Sequence, residues 1–307
     1  MQCYLCGSER YFRREGRVRD NPSIEILECE SCGLVFLSEQ NTNDEFYAQG
    51  GMHNQQQVYE LTGRRDLIND MYRFNRSRLE FVLDSLIGKD IVDFGSGYGG
   101  FLIQAKPFAK SVLGIELESQ VRAVYEQYDI PLASSLEQAL AISQSLTTKA
   151  TSDQKQLSGG GGNYDLLTAF HVIEHLADPI GILRQLASLL KDNGKMIIEV
   201  PNANDALLTI YKNKAFSEFT YWSPHLYLYN PHTLRKLGQK AGLAVDFVKC
   251  VQRYPLSNTL HWLSNGLPAG QKIWGGFLDS QILQESYESA LASVGATDTL
   301  IAQFRKR

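Results

Sequence analysis

Residues 91–100 read Ile-Val-Asp-Phe-Gly-Ser-Gly-Tyr-Gly-Gly, and no other stretch constrains the fold as tightly. A β-branched run ends at Asp93. Gly95, Gly97, Gly99 and Gly100 follow, and the apolar segment 101–105 then opens a helix. Glycine lets the backbone turn sharply and approach a ligand that any Cβ would push away. Strand, glycine loop and helix in that order build a nucleotide pocket at the carboxyl end of a parallel sheet. Gly95, Gly97 and Gly100 also satisfy the dinucleotide pattern G-x-G-x-x-G, so this stretch alone leaves the nucleotide open.

The N-terminal region carries a second signal. Cys3 and Cys6 form one C-x-x-C-G element and Cys29 and Cys32 another, with Gly7 and Gly33 in equivalent places. Two residues between cysteines let both thiolates of a tight turn point at one ion. Two such knuckles predict a closed four-sulfur site for structural zinc, with no position left for a substrate. Cys250 stands apart on an apolar segment and reads as a core residue.

The chain has 307 residues, enough for one large α/β domain and a small module. Its net charge of −4 argues against a nucleic-acid binder that uses its whole surface. The run Arg10, Arg13, Arg14, Arg17, Arg19 is a local exception, either a solvated loop or a phosphate-contacting patch. No stretch of about 18 apolar residues occurs, so no membrane insertion is expected. The N-terminus shows no signal-peptide pattern, and the expected location is the cytoplasm, where cysteines stay reduced.

Residues 58–87 carry apolar positions at helical spacing. Strands are then expected at 90–94, 111–115, 130–133, 164–170 and 195–200, alternating with helices at 99–106, 119–128 and 179–191. A helix at 231–241 leads to strands at 244–251 and 299–304. This alternation predicts an α/β fold, a doubly wound sheet with helices on both faces. Residues 143–163, polar and glycine-rich, read as a mobile surface insertion.

Taken together, these motifs resemble one family. Asp93-Phe-Gly95-Ser-Gly97-Tyr-Gly99 resembles the first motif of class I S-adenosylmethionine (SAM) dependent methyltransferases, and Leu-Gly-Ile-Glu116 their acidic second-strand end. Phe170-His171-Val-Ile-Glu174-His175-Leu-Ala-Asp178-Pro179 is similar to their segment leaving the fourth strand, and Gly194-Lys-Met-Ile-Ile-Glu-Val-Pro201-Asn202 to their fifth strand. The resemblance implies a Rossmann-like seven-stranded sheet with the last strand antiparallel. It also implies three segments: a zinc ribbon (1–45), a helical lead-in (46–88) and the methyltransferase domain (89–307), with 252–297 as a substrate lid. Cys29-Glu-Ser-Cys32 followed by Phe46-Tyr47 resembles the leader of methyltransferases associated with sugars and cell-surface polysaccharides.

Residue roles follow as expectations. Glu116 is placed to accept hydrogen bonds from the ribose hydroxyls. Gly95, Gly97 and Gly99 would lie against the methionine moiety and Asp93 would orient the loop, with Phe170 and Tyr47 further cofactor contacts. His171, Glu174, His175 and His225 form the candidate catalytic group. It admits three readings: a histidine general base, with His171 first and His225 second; a structural cluster; or a clamp for a second divalent metal. Tyr221-Trp222-Ser-Pro-His225-Leu-Tyr227-Leu-Tyr229 is either an aromatic wall for an acceptor or a core strand. The expected acceptor is a small molecule, a sugar or nucleotide-linked glycan unit. The alternative is RNA gripped by the zinc ribbon and its arginines. A nicotinamide oxidoreductase shares the glycine loop but does not account for residues 170–179.

Overall fold

The computed structural model describes residues 1–40, 65–153 and 162–307. Tyr47 lies outside the described residues. Five strands run parallel: β4 (Asp90–Phe94), β5 (Ser111–Ile115), β6 (Leu132–Ala133), β7 (Tyr164–Phe170) and β8 (Leu190–Pro201). β10 (Ala244–Val251) and β11 (Thr299–Arg305) complete a seven-stranded sheet in the order β10-β11-β8-β7-β4-β5-β6. β11 is antiparallel to both of its neighbours. The Rossmann-like methyltransferase architecture expected from the motifs is therefore present.

Local chemistry explains the elements that carry the site. β7 is buried at Tyr164 and from Leu166 through Ala169, on both faces, as a strand covered on both sides must be. The helix Pro179–Leu189 starts where Asp178 accepts a hydrogen bond from Gly181 N, with proline at its first position. Asn230 and Thr233 form a capping box that opens the helix Pro231–Lys240. Two expectations need correction. The segment read as an insertion from residue 143 is helical as far as Asp153, because the helix Leu136–Asp153 continues its hydrogen-bonded backbone through polar residues. The fifth strand begins at Leu190, ahead of Gly194, because Leu190 already pairs with Tyr164.

The cysteine region forms its own small sheet from β1 (Tyr11–Arg13), β2 (Ile26–Cys29) and β3 (Val35–Leu37). Its fourth strand is β9 (Tyr227–Leu228), which pairs with Val35 and Phe36 from the far end of the chain. Leu5, Leu34 and Phe36 join the same buried cluster as Leu183, Leu226 and Leu237. Tyr221, Tyr227 and Tyr229 are buried, so the core-strand reading of the aromatic segment is the one the fold adopts. Residues 252–297 contain three helices, Leu256–Asn265, Gln271–Leu278 and Gln281–Ser293.

Candidate active site

The carboxyl ends of β4, β5 and β7 meet around a cavity of about 240 Å³. Gly95, Gly97, Glu116, Glu118, His171 and His175 are among its lining residues. Gly95 sits at φ +65°, and a Cβ there would lie 2.4 Å from Val172, so the loop as folded requires glycine. Glu116 leaves β5 and accepts hydrogen bonds from Gly97 N at 2.8 Å and Glu118 N at 3.1 Å. Those bonds fix the carboxylate against the glycine loop.

The other expected cofactor contacts lie a layer back. Gly99 packs over the Tyr125 ring. Asp93 is buried and accepts a hydrogen bond from Thr168 Oγ1 at 2.6 Å. Burial raises its carboxyl to about 7. Phe170 packs edge-to-face on Phe101 at 5.0 Å and carries the Arg78 guanidinium 4.6 Å from its ring centre.

His171 follows β7 with φ +56°, a left-handed conformation that side-chain-bearing residues rarely adopt. Its backbone N–H donates to Glu199 O, which locks it beside β8. With a proton on Nδ1, the ring donates to Glu174 Oε1 at 3.2 Å. Its Nε2 lies 3.0 Å from Glu199 Oε1 and accepts from Arg253 Nη1 at 2.8 Å. Neutral imidazole satisfies Arg253, whereas imidazolium satisfies Glu199. Both protonation states of His171 thus have a partner already in place.

Glu199 is buried and salt-bridged to Arg78 at 2.6 Å. Burial works to raise its carboxyl, but the Arg78 guanidinium outweighs it and holds the group well below the ordinary carboxylate range. Glu199, Arg78 and Arg253 were not singled out from sequence. A lone carboxylate in the apolar run Met196–Val200 was the available signal for Glu199.

Glu174, His175 and His225 bring ligand-capable atoms within 4.8 Å of one another. His171 is not in that group, and its nitrogens are engaged by Glu174, Glu199 and Arg253. The four-residue metal clamp is thereby reduced to three residues. Glu174 Oε2 is buried without a hydrogen-bond partner among the described residues. His175 Nδ1 is paired with Pro224 O at 3.0 Å. Burial lowers both imidazoles, that of His225 to about 3 with help from His175. One carboxylate and two imidazoles brought this close form a donor set that fits a divalent cation. His225 borders neither this cavity nor the next one.

A second cavity, of about 380 Å³, opens on the other side of Arg253. It is bounded by the helix Arg65–Leu86, β10, β11 and the helices after residue 252, through Arg73, Phe74, Arg78, Lys249, Arg253 and Gln284 among others. His171 therefore stands at the cofactor-side cavity and holds, through Arg253, the wall of its neighbour.

At the N-terminus, Sγ of Cys3 and Cys32 are 3.6 Å apart and those of Cys6 and Cys29 3.5 Å. All four sulfurs lie within 4.8 Å of one another. Tetrahedral zinc with Zn–S bonds of about 2.3 Å needs sulfurs about 3.8 Å apart, so the cluster fits. The neighbouring arginines are largely committed elsewhere. Arg14 pairs with Glu28 and donates to Ala203 O, and Arg13 pairs with Glu25. Arg19 stacks on Trp222 and Phe219.

A family model described as a methyltransferase domain matches residues 67–247, more than half of the chain. A ubiquinone biosynthesis O-methyltransferase from Aeromonas salmonicida (strain A449) is 28% identical over 198 residues, 61% of this chain and 78% of that one. A relative of the same name from Vibrio parahaemolyticus serotype O3:K6 is 29% identical over 140 residues, 44% of this chain. The chain spans 54% of that Vibrio protein's length. The methyltransferase solved with the Trm112 activator of Haloferax volcanii has a TM-score of 0.50 at 13% identity, over 86% of this chain and 99% of that one. A SAM-dependent methyltransferase from Archaeoglobus fulgidus has a TM-score of 0.47 at 18% identity, over 82% of this chain and 100% of that one. The family match runs across the sheet that carries the glycine loop and Glu116, and the chain belongs to the class I SAM-dependent methyltransferases.

Proposed function

We propose that this enzyme methylates a small molecule, a sugar either nucleotide-linked or part of a glycan. The observation that carries the reading is that His171 lines the cavity beside the glycine loop and accepts a hydrogen bond from Arg253, which lines a second cavity. Bound SAM supplies a methyl group already activated on a sulfonium sulfur. Glu116 binds the ribose hydroxyls, and the backbone at Gly95 and Gly97 lies along the methionine moiety. Asp93, through Thr168, keeps the loop in place from beneath.

What remains for this chain is alignment and removal of one proton. His171 Nε2 takes that proton from the acceptor. Glu174 holds the ring through Nδ1, and Glu199 receives the new N–H. Residues 252–297 act as a lid, since Arg253, Asp279, Gln284 and Glu288 wall the second cavity. A divalent cation, where bound, is held by Glu174, His175 and His225, and supplies positive charge that fixes the Glu174 carboxylate. Cys3, Cys6, Cys29 and Cys32 hold zinc that folds the N-terminal segment. An RNA acceptor is disfavoured because Arg13, Arg14 and Arg19 are engaged within the fold.

Calorimetric titration with SAM, its demethylated product and NAD tests the cofactor site. SAM should bind at about micromolar Kd, Glu116→Ala should weaken it roughly tenfold or more, and NAD should not bind, since hydrogen bonds to a charged group contribute about 1.5–3 kcal/mol. Binding of NAD alone would sink the cofactor assignment. Methyl-labelled SAM offered with nucleotide sugars or with RNA then tests the acceptor. Label on RNA and not on sugar would overturn the proposal. Elemental analysis should find roughly one zinc per chain, lost in Cys29→Ser, as a closed four-thiolate site requires.

A further inference from the structure

We propose that the second cavity binds an anionic group of the acceptor, a phosphate or a carboxylate, through Arg73, Lys249 and Arg253. This assignment rests on the reading of that cavity as the acceptor site.

Four cations line the cavity, Arg73, Arg78, Lys249 and Arg253, against three carboxylates, Glu199, Asp279 and Glu288. Arg78 is consumed by Glu199. Asp279 accepts from Ser257 N and Oγ, and Glu288 from Gln252 N, so both are turned towards donors of the lid. Arg73, Lys249 and Arg253 form no ion pair with a described carboxylate. Each instead lies over an aromatic ring: Arg73 and Arg253 over Phe74, and Lys249 over Phe81. A ring face steadies a cation without neutralising it, so the charge stays available to a ligand.

Two buried polar atoms point the same way. Arg253 Nε, a donor, and Gln284 Oε1, an acceptor, are without hydrogen-bond partners among the described residues. The Gln284 amide is oriented, because its Nε2 donates to Gln252 O at 3.0 Å. A buried donor and a buried acceptor left open are costly unless a ligand meets both. An oxyanion satisfies the first and a hydroxyl the second, which is the chemistry of a phosphorylated or acidic sugar. Arg253 links this site to the reaction, since the guanidinium that would hold the anion also donates to His171 Nε2. An anion that draws Arg253 towards itself uncovers that nitrogen for the acceptor's proton.

Calorimetry on the full chain, with and without S-adenosylhomocysteine, should use glucose 1-phosphate, glucuronate and glucose as probes. Binding of either charged sugar, with glucose at least tenfold weaker, is the expected result, and the stronger of the two identifies the anion. Arg73→Gln and Lys249→Gln alter exposed side chains and leave the fold intact; each should weaken the charged probe severalfold, and the double variant tenfold or more. Glucose binding as well as its phosphate would overturn the proposal. So would charged-probe affinity that ignores both variants, or no binding of any probe at millimolar concentration. A failure of S-adenosylhomocysteine to bind, with the probes behaving as expected, would count against the cofactor assignment alone.

Discussion

The cavity lined by His171 and the neighbouring one walled by its partner Arg253 are built from different materials. The cofactor side is lined by glycine backbone and by Glu116, Glu118 and Glu137, with no lysine or arginine among its lining residues. The second cavity sets Arg73, Arg78, Lys249 and Arg253 and the ring of Phe74 against Glu199, Asp279 and Glu288. On the proposed reading the division would match the charge of each ligand, a cationic sulfonium on one side and an anionic group on the other. A proton taken up by His171 would find carboxylates at both imidazole nitrogens.

Substitutions can break this contrast in order of severity. His171→Gln should lower kcat by roughly 10²–10⁴-fold, the usual contribution of a positioned general base. SAM affinity should change little, which single-turnover label transfer and calorimetry would separate. A loss of SAM binding equal to the loss of rate would make His171 a cofactor contact and not a base.

Glu199→Gln leaves Arg78 largely buried with a neutral partner. Thermal or urea unfolding should show a loss of roughly 3 kcal/mol, near the lower end for breaking a buried pair. The sign with pH is fixed by the depressed native-state pKa of Glu199. The unfolded chain takes up its proton near the ordinary value of 4.5 while the native state does not. The stabilisation from this pair is therefore complete above that pH and is lost as the pH falls below it. The variant's stability should be correspondingly less steep in acid.

The smallest effect sharpens the contrast instead of breaking it. Raising salt from about 0.05 to 0.5 M should weaken a charged acceptor severalfold, because the exposed cations of its site are screened. SAM, held largely by backbone and a fixed carboxylate, should respond less. Equal salt dependence of the two ligands would erase the distinction between the walls.

Much of the cofactor side was legible in the sequence because it depends on local chemistry. The glycine loop and Glu116 declare themselves by residue type and by position after a strand. The acceptor side was not, since Arg73, Arg253 and Glu199 meet only when β8, β10 and the helix Arg65–Leu86 come together. His171 was legible as a candidate, but its partners Glu199 and Arg253 come from distant segments. The histidine cluster divides because the chain makes only a 3₁₀ turn at Ile173–His175 after the left-handed His171. The pairing of β9 with the cysteine module had no local signature at all, because two residues in extended conformation carry no periodicity.

That pairing also imposes a timetable on synthesis. Phe36 and Tyr227, which sit opposite each other in the small sheet, are separated by about 190 residues. At about 5–20 residues per second, the N-terminal segment waits roughly 10–40 s on the ribosome for its last strand. Through that interval the edge of β3 is open to any other extended chain. Cys3, Cys6, Cys29 and Cys32 all precede that strand in the chain, so a metal held by them would tie the nascent segment together until Tyr227 and Leu228 arrive.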